Sequence, residues 1–176
     1  GGHALALRLL DHVRTRMIEF QETTGHLYNL EATPAEGTSY RLAMLDKNKF
    51  PNIICANEND YQRGAAPYYT NSTQLPVNHT DDIYETLLLQ DGLQCQYTGG
   101  TVLHIFLGEQ VDDPSAVKSL IRKITGGFQL PYFTLTPTFS VCPVHGYLKG
   151  AQENCGVCGH ETEVYSRVVG YLRPVS

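Results

Sequence analysis

Four residues in the last third of the chain constrain it most. Cys142-Pro-Val-His145 is followed, after nine intervening residues, by Cys155-Gly-Val-Cys158. Two short knuckles that each offer two ligands complete the tetrahedron zinc takes in closed structural sites, with no position left for water. Gly146, Gly150, Gly156 and Gly159 lie beside these residues and permit the tight turns that aim ligands inward. The spacing therefore predicts a zinc-binding loop over residues 140–160, held by Cys142, His145, Cys155 and Cys158. His160 is the alternative to His145 as fourth ligand, and an iron–sulfur cluster is the alternative to zinc, which the histidine argues against. The loop has little apolar content, so a bound metal would contribute its folding free energy.

The rest of the composition bounds the class. The chain has 176 residues, 41% hydrophobic and 18% charged, enough for one domain with a real core. A net charge of −5 gives no basic surface for nucleic acid. No apolar run reaches the ~18 residues of a membrane span, and the opening Gly1-Gly-His-Ala-Leu5 lacks the features of a signal peptide. Five cysteines, three of them crowded at the knuckles, suit a metal site in a reducing, cytoplasmic compartment better than a disulfide framework. Asn71-Ser-Thr73 and Asn78-His-Thr80 match the glycosylation pattern, by chance in such a compartment. The chain opens almost directly in a helix and stops straight after an apolar run, which reads as a fragment of a longer polypeptide.

Periodicity predicts an α/β architecture. Residues 4–21 repeat apolar positions every three or four, with Leu5, Leu9, Val13, Met17 and Phe20 as the buried stripe and Gly25 as the stop. Residues 27–30 and 52–55 read as short strands, and residues 33–37 as a turn. Residues 38–46 read as a helix with Leu42 and Leu45 inward. Residues 56–79 form a long polar and aromatic loop, of the kind that is functional or disordered. Thr80 caps the next helix, with Ile83, Leu87 and Leu88 inward and Gly92 ending it. Residues 101–107 read as a strand buried on both faces. Asp113 and Pro114 open a helix whose stripe is Val117, Leu120, Ile121 and Ile124, stopped at Gly126-Gly127. Residues 132–141 are a strand broken by Pro137, and residues 163–172 are a last strand.

Inside that last strand stands Gly170, in Arg167-Val-Val-Gly-Tyr-Leu172. Glycine weakens a strand, so one reading is a bulge or a close backbone approach. The segment also resembles the signature of the glycyl radical enzymes, an Arg-x-x-Gly-Tyr core. A glycine α-carbon lies between an amide nitrogen and a carbonyl that delocalise an unpaired electron, and without a side chain it can flatten. Four stretches resemble the anaerobic, class III ribonucleoside-triphosphate reductases. They are Asn29-Leu-Glu-Ala-Thr-Pro-Ala-Glu36, Tyr69-Thr-Asn-Ser-Thr-Gln-Leu-Pro76, Tyr97-Thr-Gly-Gly-Thr-Val-Leu-His-Ile-Phe-Leu-Gly-Glu109, and residues 132–174 with the knuckles and the glycine in family order.

That resemblance implies the carboxy-terminal part of a ten-stranded α/β barrel: a barrel segment over residues 1–139, the zinc loop over 140–160, and a radical segment over 161–176. It implies a radical on Gly170, made by an activating protein that uses S-adenosylmethionine and an iron–sulfur cluster. It implies a ribonucleoside triphosphate substrate and a homodimer when full length, with the thiyl-bearing cysteine outside this chain. Cys55 and Cys95 then read as ordinary buried residues. Glu36 would be a proton-transfer group near the substrate, or a helix amino-terminal carboxylate. Asn71 and Ser72 would bind substrate or hold their loop, and His104 reads as a satisfied core histidine. Two further readings stand beside this one: a non-enzymatic zinc-ribbon interaction module with Gly170 as a bulge, and a glycyl radical enzyme with another substrate.

Overall fold

The structure is a computed structural model. It describes residues 1–76, 79–107, 111, 113–167 and 172–174, except the side chains of Glu36, Leu172 and Arg173. The fold is mixed α/β and divides into two compact units, Gly1–Leu103 with Gln129–Pro131, and His104–Phe128 with Tyr132–Ser176.

In the first unit the helices are α1 (Gly2–Thr24), α2 (Glu36–Lys49), the single turn α3 (Glu58–Tyr61) and α4 (Ile83–Gln94). Gly25 ends α1 in the left-handed conformation, its N–H on the Gln21 carbonyl. Helix α1 packs on α4 around Leu10, Leu93 and Tyr97, flanked by Ala6, Leu7, Leu30 and Ala32. The predicted stripe is displaced, because Leu5, Leu9 and Phe20 are exposed. The helix carries apolar residues on neighbouring faces, and its partner selects the one with Leu7 and Leu10. Gly92 does not end α4. It lies inside the helix, where a Cβ would sit 3.7 Å from Leu7 Cδ2 of α1, an ordinary van der Waals distance. Asp82 rather than Thr80 caps α4, accepting from the Tyr84 N–H at 2.8 Å, while Thr80 supports Asp82 through its N–H. Leu87 is buried as expected, whereas Leu88 is exposed.

Helix α2 turns a different face inward than expected. Leu42 and Leu45 are exposed, and Ala43 and Lys47 are buried. Lys47 Nζ meets both carboxylate oxygens of Glu58 at 2.9 and 2.8 Å and lies 4.5 Å from the Tyr61 ring centre. A buried ammonium needs such partners, and once it has them the face around Ala43 closes over it. The strands expected at 27–30 and 52–55 do not form. The Leu30 carbonyl instead receives the Thr98 and Gly99 N–H groups, and Ala32 N–H meets the Gly100 carbonyl. Those bonds join two loops rather than a ladder.

The second unit holds α5 (Pro114–Gly127) and the strands β1 (Leu103–Phe106, whose first residue belongs to the first unit), β2 (Phe133–Thr136), β3 (Phe139–Cys142), β4 (Gly146–Lys149), β5 (Glu163–Arg167) and β6 (Leu172–Pro174). Asp113 caps α5 and Pro114 is its first residue, as the sequence predicts, with Ile124 buried on the stripe. In β1 Leu103 and Ile105 are buried while Phe106 is exposed, so the run alternates instead of being covered on both faces. Pro137 separates β2 from β3, since a proline has no N–H for a ladder. Strands β1 and β2 pair, and the other four form a sheet in the order β4-β3-β5-β6. That sheet is antiparallel, with Cys142 opposite Gly146, Phe139 opposite Tyr165, and Arg167 opposite Leu172. Among the described residues no helix is long and apolar enough to cross a membrane.

Candidate metal centre and the loops around Glu36

The β3–β4 hairpin presents the first knuckle. Cys142 closes β3, His145 lies in the turn, and Gly146 opens β4 with φ 72°, a conformation that strongly favours glycine. The second knuckle is a tight turn from Cys155 to Gly159. Gly159 N–H returns to the Cys155 carbonyl at 2.8 Å, and Cys155 N–H bonds the His160 carbonyl at 2.8 Å. These turns bring the donor atoms of Cys142, His145, Cys155 and Cys158 within 4.8 Å of one another.

The spacing inside the cluster fits a metal. Cys142 Sγ is 3.6 Å from Cys158 Sγ, too far for a disulfide. His145 Nδ1 is 3.5 Å from Cys155 Sγ and 3.8 Å from Cys142 Sγ. Zinc–sulfur bonds of about 2.3 Å and zinc–nitrogen bonds of about 2.0 Å place tetrahedral ligand atoms roughly 3.5–3.8 Å apart. At two of the three cysteines the protein also favours the thiolate form that a metal requires, while the Cys158 thiol is pushed up. Backbone N–H groups of Cys158 and Val157 hold the Cys155 thiol down to about 6. Burial pushes the Cys142 thiol up, and the His145 and Val144 N–H groups more than offset it. A Cys3His set of this kind could hold zinc. His160 is exposed and outside the cluster, and its carbonyl serves the second turn.

The sheet carries this cluster toward the predicted radical segment. Strand β3 pairs β4 on one side and β5 on the other, and β5 pairs β6. Rings of Tyr147, Phe139 and Tyr165 stack across β4, β3 and β5 with centroids 5.5 Å apart. Arg167 donates to Thr136 Oγ1 at 3.3 Å. Gly170 falls between β5 and β6, outside the described residues.

In the first unit three loops converge. The Asn71 carboxamide oxygen accepts from Ala35 N–H at 2.7 Å and from the Ser39 hydroxyl at 2.9 Å, directly before and within the first turn of α2, whose first residue is Glu36. Ser72 has φ 47°, and its hydroxyl lies 3.5 Å from the Thr33 carbonyl. Beneath them Gln90 and Gln94 are fully buried. Gln90 donates to the Thr73 carbonyl at 3.0 Å, Gln94 donates to Gln90 at 2.8 Å, and the Thr101 hydroxyl bonds Gln94. Thr73 meets the Tyr97 hydroxyl at 3.0 Å, and Gln74 donates to the Val102 carbonyl at 2.7 Å. Sequence reading missed Ser39, Gln90 and Gln94. The two glutamines, four apart on one face of α4, were the available signal.

Cys55 is buried, which raises its thiol, and Cys95 Sγ bonds the Gln129 carbonyl at 3.3 Å. His104 Nδ1 lies 2.7 Å from Thr134 Oγ1. An open recess of about 370 Å³ beside the metal hairpin is lined by Val141, Pro143, Glu161, Thr162 and Glu163. Its two carboxylates disfavour a polyphosphate there.

Fold and site together define a mixed α/β protein with a Cys3His cluster built into an antiparallel sheet. The family model "Anaerobic ribonucleoside-triphosphate reductase" matches residues 1–176, and the chain belongs to that family. It is 21% identical over 184 aligned residues to the anaerobic ribonucleoside-triphosphate reductase of Enterobacteria phage T4, covering 97% of this chain and 28% of that protein. The anaerobic ribonucleotide reductase of Thermotoga maritima with MES in the active site is 26% identical, with a TM-score of 0.71 over 94% of this chain and 26% of the other. The same enzyme in complex with dATP and CTP gives 24% identity and a TM-score of 0.73 over 99% of this chain and 26% of the other. The chain thus spans about a quarter of the length of these relatives.

Proposed function

We propose that this chain is the carboxy-terminal part of an oxygen-sensitive glycyl radical enzyme that reduces ribonucleoside triphosphates to deoxyribonucleotides. One observation carries the reading: the metal cluster and the two strands flanking Gly170 share one sheet, in a chain that belongs to the anaerobic reductase family along its whole length. An adaptor built on a zinc ribbon has no need of that connection.

In this reading Cys142, His145, Cys155 and Cys158 hold a structural zinc, which supplies cross-linking of two turns and no reactive position. The segments are those read from the sequence: residues 1–139 as part of a ten-stranded barrel, 140–160 as the zinc loop, and 161–176 as the radical segment. Gly170 stores the radical after an activating protein with S-adenosylmethionine and an iron–sulfur cluster removes its α-hydrogen. Gly170 then regains hydrogen from a cysteine thiol elsewhere in the protein, leaving a thiyl radical that takes the ribose 3′ hydrogen. Glu36 handles the proton with which the 2′ hydroxyl leaves as water. Asn71 and Ser72 share the loop beside α2, where Ser72 would contact the substrate, while the Asn71 oxygen is occupied by Ala35 N–H and the Ser39 hydroxyl and holds the loop. The complete protein is a cytoplasmic homodimer.

The test is electron paramagnetic resonance on the complete polypeptide after anaerobic activation. A doublet from one α-hydrogen coupled to the radical is expected, together with turnover of a ribonucleoside triphosphate. Gly170→Ala should remove both, and a doublet that persists in that variant sinks the assignment.

A further inference from the structure

We propose that Asn71 is a positioning residue for Glu36, acting as an amino-terminal cap of α2 supplied from another loop; this rests on the reading of Glu36 as the proton-transfer group. Helix α2 begins at Glu36 without a cap of its own, because Ala35 stands at the cap position and has no side-chain oxygen. In a capping box, a side chain on the helix receives the N–H of the cap residue. Here the Asn71 oxygen receives it, at 2.7 Å from Ala35 N, and the same oxygen takes the Ser39 hydroxyl at 2.9 Å. An N–H can only donate, so the carboxamide atom facing Ala35 must be the oxygen. The residue immediately before Glu36 is therefore tethered to a residue 36 positions later.

The tether is itself held. Asn71 closes a turn in which its carbonyl receives Gln74 N–H at 3.0 Å. Ser72 adopts φ 47°, the one positive value at a non-glycine among the described residues, and such strain persists only where surroundings impose it. Thr73 is fixed by Tyr97 and by buried Gln90, and Gln74 by the Val102 carbonyl. At the other end of the segment, Leu30 and Ala32 are bonded to Thr98, Gly99 and Gly100. Glu36 thus follows a stretch of backbone anchored at both ends, and Asn71 is the anchor next to it. The polar oxygen of Asn71 is spent on the fold, which separates two roles that a single residue could play: acceptor for Ala35 and Ser39, or amide donor to a substrate.

Two variants of the complete, activated enzyme distinguish them. Asn71→Asp keeps the acceptor, adds a charge that a helix amino terminus favours, and deletes the amide donor. Asn71→Ala deletes both. A displaced catalytic group costs turnover rather than uniform binding, so Asn71→Ala should lower kcat by about 10- to 100-fold with KM within about twofold. Asn71→Asp should recover most of kcat, and both variants should keep the wild-type yield of glycyl radical. Hydrogen exchange over residues 33–39 should rise in Asn71→Ala and return to the wild-type level in Asn71→Asp. An effect confined to KM, or an Asp variant as impaired as Ala, overturns the positioning role while wild-type turnover upholds the reductase reading. A wild type that shows no nucleotide reduction overturns that reading and this role with it.

Discussion

Lys47 is a charged residue buried on the inward face of α2. Its side chain is 4% exposed, and a buried ammonium is tolerated only with a partner. Glu58 supplies one with both oxygens, and also receives Cys55 N–H at 2.9 Å. The bond from Lys47, and then that from Cys55, hold the Glu58 carboxyl below its usual range. A carboxylate whose pKa is depressed by folding stabilises the fold fully above its ordinary value of about 4.3, and that contribution is lost as pH falls through the lower, folded value. Glu58→Gln should therefore lower the denaturant midpoint at neutral pH. The gap to wild type should close as the pH is taken down through the acid range, and a gap independent of pH would show that the charge is immaterial. Tyr69 belongs to the same neighbourhood: burial, and then its hydrogen bond to Asp46 at 2.8 Å, push its hydroxyl up to about 12. It is a neutral donor throughout the working range.

At the scale of the element, the β3–β4 hairpin and the Cys155 turn have few apolar side chains to bury. Over residues 142–162 the buried residues are Cys142, Cys155 and Thr162, two of which are candidate ligands. Burying one ordinary apolar side chain stabilises by about 1.5–3 kcal/mol, whereas structural zinc contributes about 10–16 kcal/mol of apparent binding free energy in small metal domains. A metal bound by the four donors would therefore add far more to these turns than their packing does. One zinc per chain is expected by elemental analysis. Cys155→Ala should lose it and open residues 142–162 to protease, with α1 and α4 unaffected in hydrogen exchange. Full metal content in that variant would remove Cys155 from the ligand set.

At the scale of the whole molecule, the sheet order would give a metal held by the cluster a reach beyond its own loop. The cluster sits on β3, β3 pairs β5, and β5 pairs β6, so constraint on the first hairpin extends to the strands that flank Gly170. A radical centred on a backbone α-carbon reacts with oxygen at that carbon, and the main chain breaks there. Exposure of the activated complete protein to air should cut it at Gly170. Mass spectrometry of the products would locate the break, and an intact chain after loss of the signal would count against Gly170.

How much of this was legible in the chain follows from the range of the forces involved. The knuckles were readable because ligand type and spacing are local, and tetrahedral zinc demands both. The opening of α5 was readable for the same reason, since Asp113 and Pro114 act within one turn. The turn seats the His145 imidazole among the three thiols and leaves His160 exposed outside them, a difference that spacing alone does not give. The faces of α1 and α2 were not readable, because Leu5 and Leu42 are as apolar as Leu10 and only the partner surface decides which is covered. Gly92 looked like a stop, yet α4 runs through it to Gln94, since tertiary packing overrides the helix propensity of one residue. Asn71 could be named from its motif, but its partners lie more than thirty residues away. The sequence by itself thus determined the chemistry available: a Cys3His donor set, a glycine in a radical-enzyme signature, a carboxylate in the matching loop. Tertiary structure alone decided that the four donors of the cluster meet and that Asn71 meets Ala35 and Ser39, because hydrogen bonds and burial between distant segments depend on the fold that brings them together.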